Sequence, residues 1–429
     1  MALPSSLLLF LLCSLPLLSS SAEPNQIVLP IYKDSSTLQY LIQIKQRTPL
    51  VPVHLTIDLG GRALWTVCET GYISTTIRSG GCNTTQCQLA QASKSCEPCS
   101  WTLYGPGCTQ SDTCWRFAEN TVIRLAAGAE VATDVIAINS TDGKGRGKVF
   151  NVPQFVFFCA RTMNADGLAE GVTGMAGLGR TKISLPVQLA SALNLKRNFG
   201  LCLSSSTTTN GVVIFGDGPY NFDDSNILKY TSLIVNKVNT QVQVLRGEAS
   251  PEYFIGVKSI KINNKIVNLN TTLLQIDNRG FGGTRLSTVN PYTVLETSIY
   301  NAVIKAFVTE LKNVTRVPAV APFGACFNSK NIGSSRVGPA VPSIDLVLEK
   351  DVVWRMFGAN TMVRVNKDVL CLGFVDGGEP TFITSIVIGG HQLEDNLLTF
   401  DLVKSKLGFS SSLLFRQTTC SNYRLMSEA

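Results

Sequence analysis

Histidine is nearly missing from this chain: 429 residues contain two, His54 and His391. Neither has a cysteine or carboxylate around it at metal-ligand spacing, and neither completes a Ser-His-Asp or Cys-His pattern. Each therefore reads as a packed or surface residue, and no metal or cofactor is expected. Charge is sparse as well. Asp, Glu, Lys and Arg together make up 16% of the chain, with 37 basic against 30 acidic residues and a net charge of +7. No basic run exceeds two residues and none alternates with aromatics, which excludes a nucleic-acid platform. Long apolar runs are absent beyond residues 7–18, a stretch too short for a membrane span. Ser20-Ser21-Ala22 follows it with the small residues a signal peptidase needs, so residues 1–22 read as a removed secretory signal. The tail around Tyr423 has no lipid-anchor pattern, and the mature protein is expected to be secreted, extracellular and free of the membrane.

What is present is an ordinary globular composition, 45% hydrophobic, in a chain long enough for two lobes. Thirteen cysteines become twelve once Cys13 leaves with the signal. An even number in a secreted chain implies a disulfide framework, here six bridges of unassigned pairing among Cys68, Cys82, Cys87, Cys96, Cys99, Cys108, Cys114, Cys159, Cys202, Cys326, Cys371 and Cys420. Cys96-Glu97-Pro98-Cys99 belongs to that framework rather than to a redox or zinc site, because no histidine lies near it. Sequons at Asn83, Asn139, Asn270 and Asn313 point to surface N-glycans. The positive charge lies wholly in the mature part and favours acidic surfaces by steering.

Most of the chain consists of short apolar runs with near alternation, as in residues 27–44, 121–125, 131–138, 152–158, 212–215 and 254–262, separated by Gly, Asn, Asp and Ser. This predicts an all-β, mostly antiparallel fold. Helical spacing occurs only over 184–193 and 297–311. The Gly-rich stretch 171–180 has neither dinucleotide-binding nor P-loop spacing and reads as close backbone packing. Residues 386–390 repeat its apolar-apolar-Gly form later in the chain. Gly, Pro, Asn and Asp concentrate over 216–226, which divides the chain into lobes of 23–222 and 223–429.

The run Leu55-Thr56-Ile57-Asp58-Leu59-Gly60-Gly61 carries an apolar strand into one Asp and then two glycines, so the carboxylate sits on a tight turn at a strand end. An aspartic protease holds half of its catalytic dyad in this way, and it needs a second carboxylate close by to share one proton. In the second lobe, Gly282-Gly283-Thr284-Arg285-Leu286-Ser287-Thr288-Val289-Asn290-Pro291-Tyr292 and a helix opening near Tyr300 resemble the family's second landmark. The resemblance puts Ser287 at the second Asp and Val289 at its glycine. A serine cannot share a proton as a carboxyl does. Asp277, ten residues upstream, is the nearest alternative. Adjacent acids at Asp223-Asp224 and Glu394-Asp395 read as solvated loop residues rather than a glycosidase pair.

With these landmarks the cysteine cluster, Val341-Pro342-Ser343-Ile344-Asp345-Leu346 and Val387-Ile388-Gly389-Gly390-His391-Gln392-Leu393-Glu394-Asp395-Asn396 complete a resemblance that covers nearly the whole mature chain. It resembles the plant pepsin-like group of extracellular dermal glycoproteins, xyloglucan-specific endoglucanase inhibitors, wheat-type xylanase inhibitors and basic seed globulins. The resemblance implies a bilobal pepsin-like fold without protease activity, its degenerate positions being Asp58 and Ser287. It further implies a monomeric apoplastic inhibitor of microbial glycoside hydrolases acting in plant defence. The expected partner is a xyloglucan-specific endo-β-1,4-glucanase, or a xylanase. A glycanase cleft holds two carboxylates, and an arginine is the complementary device, planar, bidentate and always charged. Arg416, in a C-terminal loop ending at Cys420, and Arg336, in the Gly/Ser-rich stretch 331–339, are the candidates. A peptide-hormone or wall-polymer binding protein like the basic seed globulins is the alternative, and residual proteolysis by Asp58 alone is a further rival.

Overall fold

A computed structural model describes residues 26–92, 96–97, 113–141, 147–218, 227–240, 247–378 and 384–423. Alternation becomes strand almost throughout. Tyr40–Gln46 pairs antiparallel with Val51–Asp58, Leu41 opposite Thr56 and Gln46 opposite Val51. On its other side Val51–Asp58 runs parallel to Val172–Gly177, with Gly177 opposite Asp58. Covered on both sides, its last four residues are all buried, which is why Leu55, Ile57 and Leu59 can be apolar around a single carboxylate. The second lobe repeats the plan on a smaller scale: Thr284–Leu286 runs parallel to Ile386–Ile388, with Leu286 opposite Ile388.

The lobes are joined by one six-stranded antiparallel sheet. Gln26–Lys33, Gly211–Gly216 and Asn198–Cys202 from the first half meet Leu397–Asp401, Lys406–Phe409 and Lys229–Ile234 from the second. At the seam Phe199 pairs with Phe400; their rings stack with centroids 4.5 Å apart, and Tyr253 packs on Phe400 at 4.7 Å. All three are fully buried. The glycine-rich strands are close-packed, as expected. A Cβ on Gly177 would lie 2.5 Å from the carbonyl oxygen of Ala63, and one on Gly389 2.3 Å from the backbone of Tyr292. No larger residue fits either turn.

Two helices fall where the spacing placed them, Leu185–Ala192 and Thr297–Glu310, the second capped by Glu296, whose carboxylate accepts from Ser298 and Ile299 N–H. Other expectations need correction. Residues 121–125 do not form a strand of their own; only Leu125 is in one. The Asn120 side chain accepts from Val122 and Ile123 N–H, Arg124 adopts φ +57°, and 121–124 become the turn between Thr113–Asn120 and Leu125–Asn139. The run 254–262 is two strands, Phe254–Ile255 and Val257–Ile262, which pair with different partners on either side of Gly256.

Three bridges are explicit, Cys68–Cys159, Cys202–Cys420 and Cys326–Cys371, and Cys82 is also disulfide-bonded. The expectation that all twelve cysteines are bridged fails at Cys87 and Cys114, which are buried free thiols. Cys87 sits on the helix Thr85–Leu89 against Cys114, and the two sulfurs meet through a hydrogen bond. Burial pushes both thiols up, away from the reactive thiolate. An even count fixes parity, not pairing. The side chain of Cys96, together with Cys99, Cys108, the proposed signal 1–22, the lobe boundary at 222 and Asp223-Asp224, lies outside the described residues. Among the described residues no helix is long and apolar enough to cross a membrane.

Because Phe400 fills the seam between the lobes, Phe400→Ala is expected to destabilise the protein by about 3–5 kcal/mol. A urea unfolding midpoint unchanged from wild type would show that the seam is not where the lobes cohere.

Candidate functional site

The two strand ends carrying Asp58 and Ser287 face one another across the lobes and line one cleft of about 480 Å³. A single hydroxyl holds the register. Thr288 Oγ1 donates to the carbonyl of Ile57 at 2.7 Å and accepts the N–H of Leu59 at 3.0 Å, so the second lobe grips the residues on either side of Asp58. The reciprocal grip is missing, since Leu59, the counterpart of Thr288, has no hydroxyl. Each position is tied by main chain to the glycine-bearing strand beside it, through different bonds: Asp58 O accepts from Leu178 N–H after the Gly177 turn, whereas Ser287 N–H donates to Ile388 O before the Gly389 turn.

The chemistry at the two positions differs. Asp58 is buried, with Oδ1 accepting from Gly60 N–H at 2.9 Å and Oδ2 from the Thr121 hydroxyl at 2.7 Å. Burial pushes its carboxyl above the usual range although these two bonds oppose the shift. Thr121 belongs to the 121–124 turn, so this hairpin closes on Asp58. Ser287 donates to Asn290 Oδ1 and accepts from Val289 and Asn290 N–H, which engages its hydroxyl within its own turn. Asp277 is exposed in a turn, paired with Arg279 at 2.8 Å, and does not line the cleft.

Sequence reasoning missed the charged groups around the cleft. Arg285 pairs with Glu252 at 2.7 Å, and Glu252 is buried. Glu119 lies 3.6 Å from Arg62, which also pairs with Glu248 at 3.1 Å; Arg116 pairs with the same Glu248. Neither carboxylate oxygen of Glu119 has a hydrogen-bond partner in the described structure. Burial lifts Glu119 to about 7, against the pull of Arg62. The only sequence signal was a glutamate at an inward position of an alternating strand.

A second unanticipated cluster bridges the lobes behind the cleft. Glu394 is buried and accepts from Tyr40 Oη at 2.8 Å, pairs with Lys33, and faces His391 Nδ1 at 3.1 Å. Its burial favours the neutral form, but His391 and Lys33 outweigh that and hold it below the ordinary glutamate value. Asp395 beside it is also buried, so the reading of this acidic pair as solvated is corrected: Tyr40, Lys33 and His391 hold the Glu394 carboxylate inside, and the Ser205 hydroxyl and Cys420 N–H hold that of Asp395. His54 is exposed.

The two loops that carry the candidate arginines meet. Ser334–Ser335 and Gly338–Pro339 form a hairpin with Arg336 and Val337 as its two-residue turn. Arg336 is exposed and its Nη1 donates to the carbonyl of Phe415 at 3.3 Å. Phe415, Arg416 and Gln417 form the exposed tip of the C-terminal loop, and the Phe415 ring packs edge-on against Phe357. Asn83, Asn139, Asn270 and Asn313 are all exposed. No cluster of three or more His, Cys, Asp or Glu that could hold a metal exists among the described residues.

Comparison with known proteins follows the two-lobed organisation. Residues 40–217 match the family model described as xylanase inhibitor N-terminal, and 252–411 the one described as xylanase inhibitor C-terminal. The chain is 55% identical to a Nicotiana benthamiana protein named "Probable aspartic proteinase GIP2", over 98% of each chain. The crystal structure of edgp aligns with TM-score 0.89 and 54% identity, covering 94% of this chain and 99% of that one. Basic 7S globulin from soybean aligns with TM-score 0.79 and 37% identity, over 94% and 100%.

Two outcomes test this site. Thr288→Val orphans the Leu59 N–H and the Ile57 carbonyl between the lobes, and is expected to cost about 1–3 kcal/mol for each buried group left unpaired, with Thr288→Ser near wild type by chemical denaturation. Equal loss in both variants would mean that packing, not the hydroxyl, holds the register. Glu119 titrates at about 7 when folded against an ordinary 4.5, so folding takes up a proton in that interval and stability falls as pH rises through it, by roughly 3 kcal/mol in full. Glu119→Gln is expected to flatten the stability–pH profile there. A profile indistinguishable from wild type would contradict the assigned burial cost.

Proposed function

The chain belongs to the xylanase-inhibitor family of pepsin-like proteins, related to the basic seed globulins, and we propose that it is a catalytically silent, secreted inhibitor of microbial glycoside hydrolases. Its target in this reading is a xyloglucan-specific endo-β-1,4-glucanase. The observation that carries the reading is the meeting of the Arg336 hairpin and the Arg416 loop at one exposed edge, joined by the Arg336–Phe415 hydrogen bond. Two arginines some 80 residues apart in sequence thereby stand on adjoining loops, from which both can reach a cleft with two catalytic carboxylates. A charge-assisted contact of this kind contributes about 1.5–3 kcal/mol and serves as an interface hot spot. The chain's +7 charge supports approach to an acidic partner.

Loss of proteolysis belongs to the same proposal. Ser287 stands in place of a second carboxylate, a register supported by the Thr288 grip, and Asp58 has both oxygens engaged. A lone carboxyl lacks the partner that would share its proton and activate water. Secretion to the apoplast, a monomeric state and N-glycans on the four exposed asparagines complete this reading.

A second reading rests on the cleft itself, which keeps about 480 Å³ of space: an extracellular peptide or wall-polymer binding protein, as suggested by the seed-globulin relatives. The test is xyloglucan hydrolysis by a family-twelve endoglucanase with increasing protein, alongside Arg336→Ala and Arg416→Ala. Inhibition that weakens roughly tenfold or more in each variant is expected, the loss of one charged contact. No inhibition at micromolar protein by wild type would overturn the endoglucanase assignment, whereas pull-down of peptides without any glycanase would favour the second reading.

A further inference from the structure

Arg416 stands on a loop whose two feet are buried and whose tip is exposed. Leu413 and Cys420 have almost no accessible surface, and Phe415, Arg416 and Gln417 project between them. Both feet are held by one residue from another part of the second lobe. The main-chain carbonyl of Asp395 accepts the N–H of Leu413 at 2.8 Å, and its Oδ1 accepts the N–H of Cys420 at 3.0 Å. Asp395 is itself anchored. Its N–H donates to Leu203 O at 2.8 Å, and its Oδ2 accepts the Ser205 hydroxyl at 2.7 Å. Leu203 adjoins Cys202 and Ser205 follows three residues after it; Cys202 is bridged to Cys420, so the ring of contacts closes on itself.

We infer that Asp395 is the positioning residue of the C-terminal arginine loop: a buried carboxylate that fixes the spacing of the loop's feet and so the direction in which Arg416 projects. This rests on the glycanase-docking reading for its functional consequence, though not for its structural one. The disulfide alone leaves the loop free to pivot, because it restrains only the Cys420 side chain. The carboxylate supplies a second, directional restraint on the Cys420 main chain. Its burial at 3% exposure makes the bond costly to replace by water. Within the tip, the left-handed Gln417 at φ +57° and the Ser412 hydroxyl, which accepts Leu414 N–H, fold the three exposed residues into one short turn. That turn therefore moves as a body with its feet. Presenting a preformed arginine lowers the ordering cost of binding.

The experiment compares Asp395→Ala with Asp395→Asn, which keeps an acceptor for Cys420 N–H and can donate its amide to Ser205. Each is made in the wild-type and Arg416→Ala backgrounds and inhibition of a family-twelve endoglucanase is measured in both, while the rate of trypsin cleavage after Arg416 is compared among the variants that keep Arg416. The expected result is about tenfold weaker inhibition for Asp395→Ala, with little further loss when it is added to Arg416→Ala, since the two act through one contact. Trypsin is expected to cut after Arg416 roughly tenfold faster in Asp395→Ala, through local opening of the loop, and Asp395→Asn to restore both readouts. Additive losses in the double variant, or unchanged cleavage after Arg416, would overturn the positioning role. Should the wild type fail to inhibit, the docking reading falls while the trypsin comparison still decides whether Asp395 holds the loop.

Discussion

One hydroxyl organises the centre of this molecule. Thr288 reaches from the second lobe to the main chain on both sides of Asp58 and sets the two lobes in register where their parallel strand pairs end. Because both partners are buried backbone groups, the bond cannot be exchanged for water without leaving a donor and an acceptor unsatisfied. Around it the shared sheet, the stacked Phe199–Phe400 seam and the Lys33–Glu394–Tyr40 cluster close the remainder of the interface. In a symmetric arrangement a hydroxyl in place of Leu59 would return the grip. Here apolar packing of Leu59 takes over half of the task.

A firmly joined pair of lobes has a consequence for recognition. The centre presents a hairpin closed on Asp58 through Thr121, whereas the two exposed arginines sit on a two-residue turn and on a loop pinned by a disulfide and a buried carboxylate. Loops tethered to a stable core are where binding groups are most often carried, because the core fixes their position while their tips stay accessible. The proposed inhibitor mechanism needs nothing from the central cleft. It needs the rigidity that the cleft's surroundings provide.

Much of this plan was legible in the sequence, for reasons specific to particular residues. The Asp58 turn could be read because an apolar strand, one carboxylate and two glycines leave few alternatives, and the glycine-rich strands because close packing requires small residues at fixed positions. The helices at Leu185–Ala192 and Thr297–Glu310 followed from spacing. The misreadings were one local and several tertiary. Residues 121–125 have strand composition, yet Asn120 captures their N–H groups and makes a turn. Glu394 and Asp395 resemble a solvated acidic pair until Lys33 and Ser205 arrive from the first half of the chain and Cys420 from its end, to join the neighbouring His391. Glu119 and the Arg285–Glu252 pair are ordinary charges in the sequence, and only the closed hairpin and the lobe contact bury them. Cys87 and Cys114 show the limit of counting, since composition supplies parity and the fold supplies partners.

The measurement that bears most directly on the central claim is hydrogen–deuterium exchange of the protein with and without a family-twelve endoglucanase. The account predicts protection confined to the Arg336 hairpin over 334–339 and the C-terminal loop over 413–420, with exchange at the 121–124 hairpin and the cleft strands unchanged. Protection centred on the cleft, with the two arginine loops exchanging as in the free protein, would contradict it.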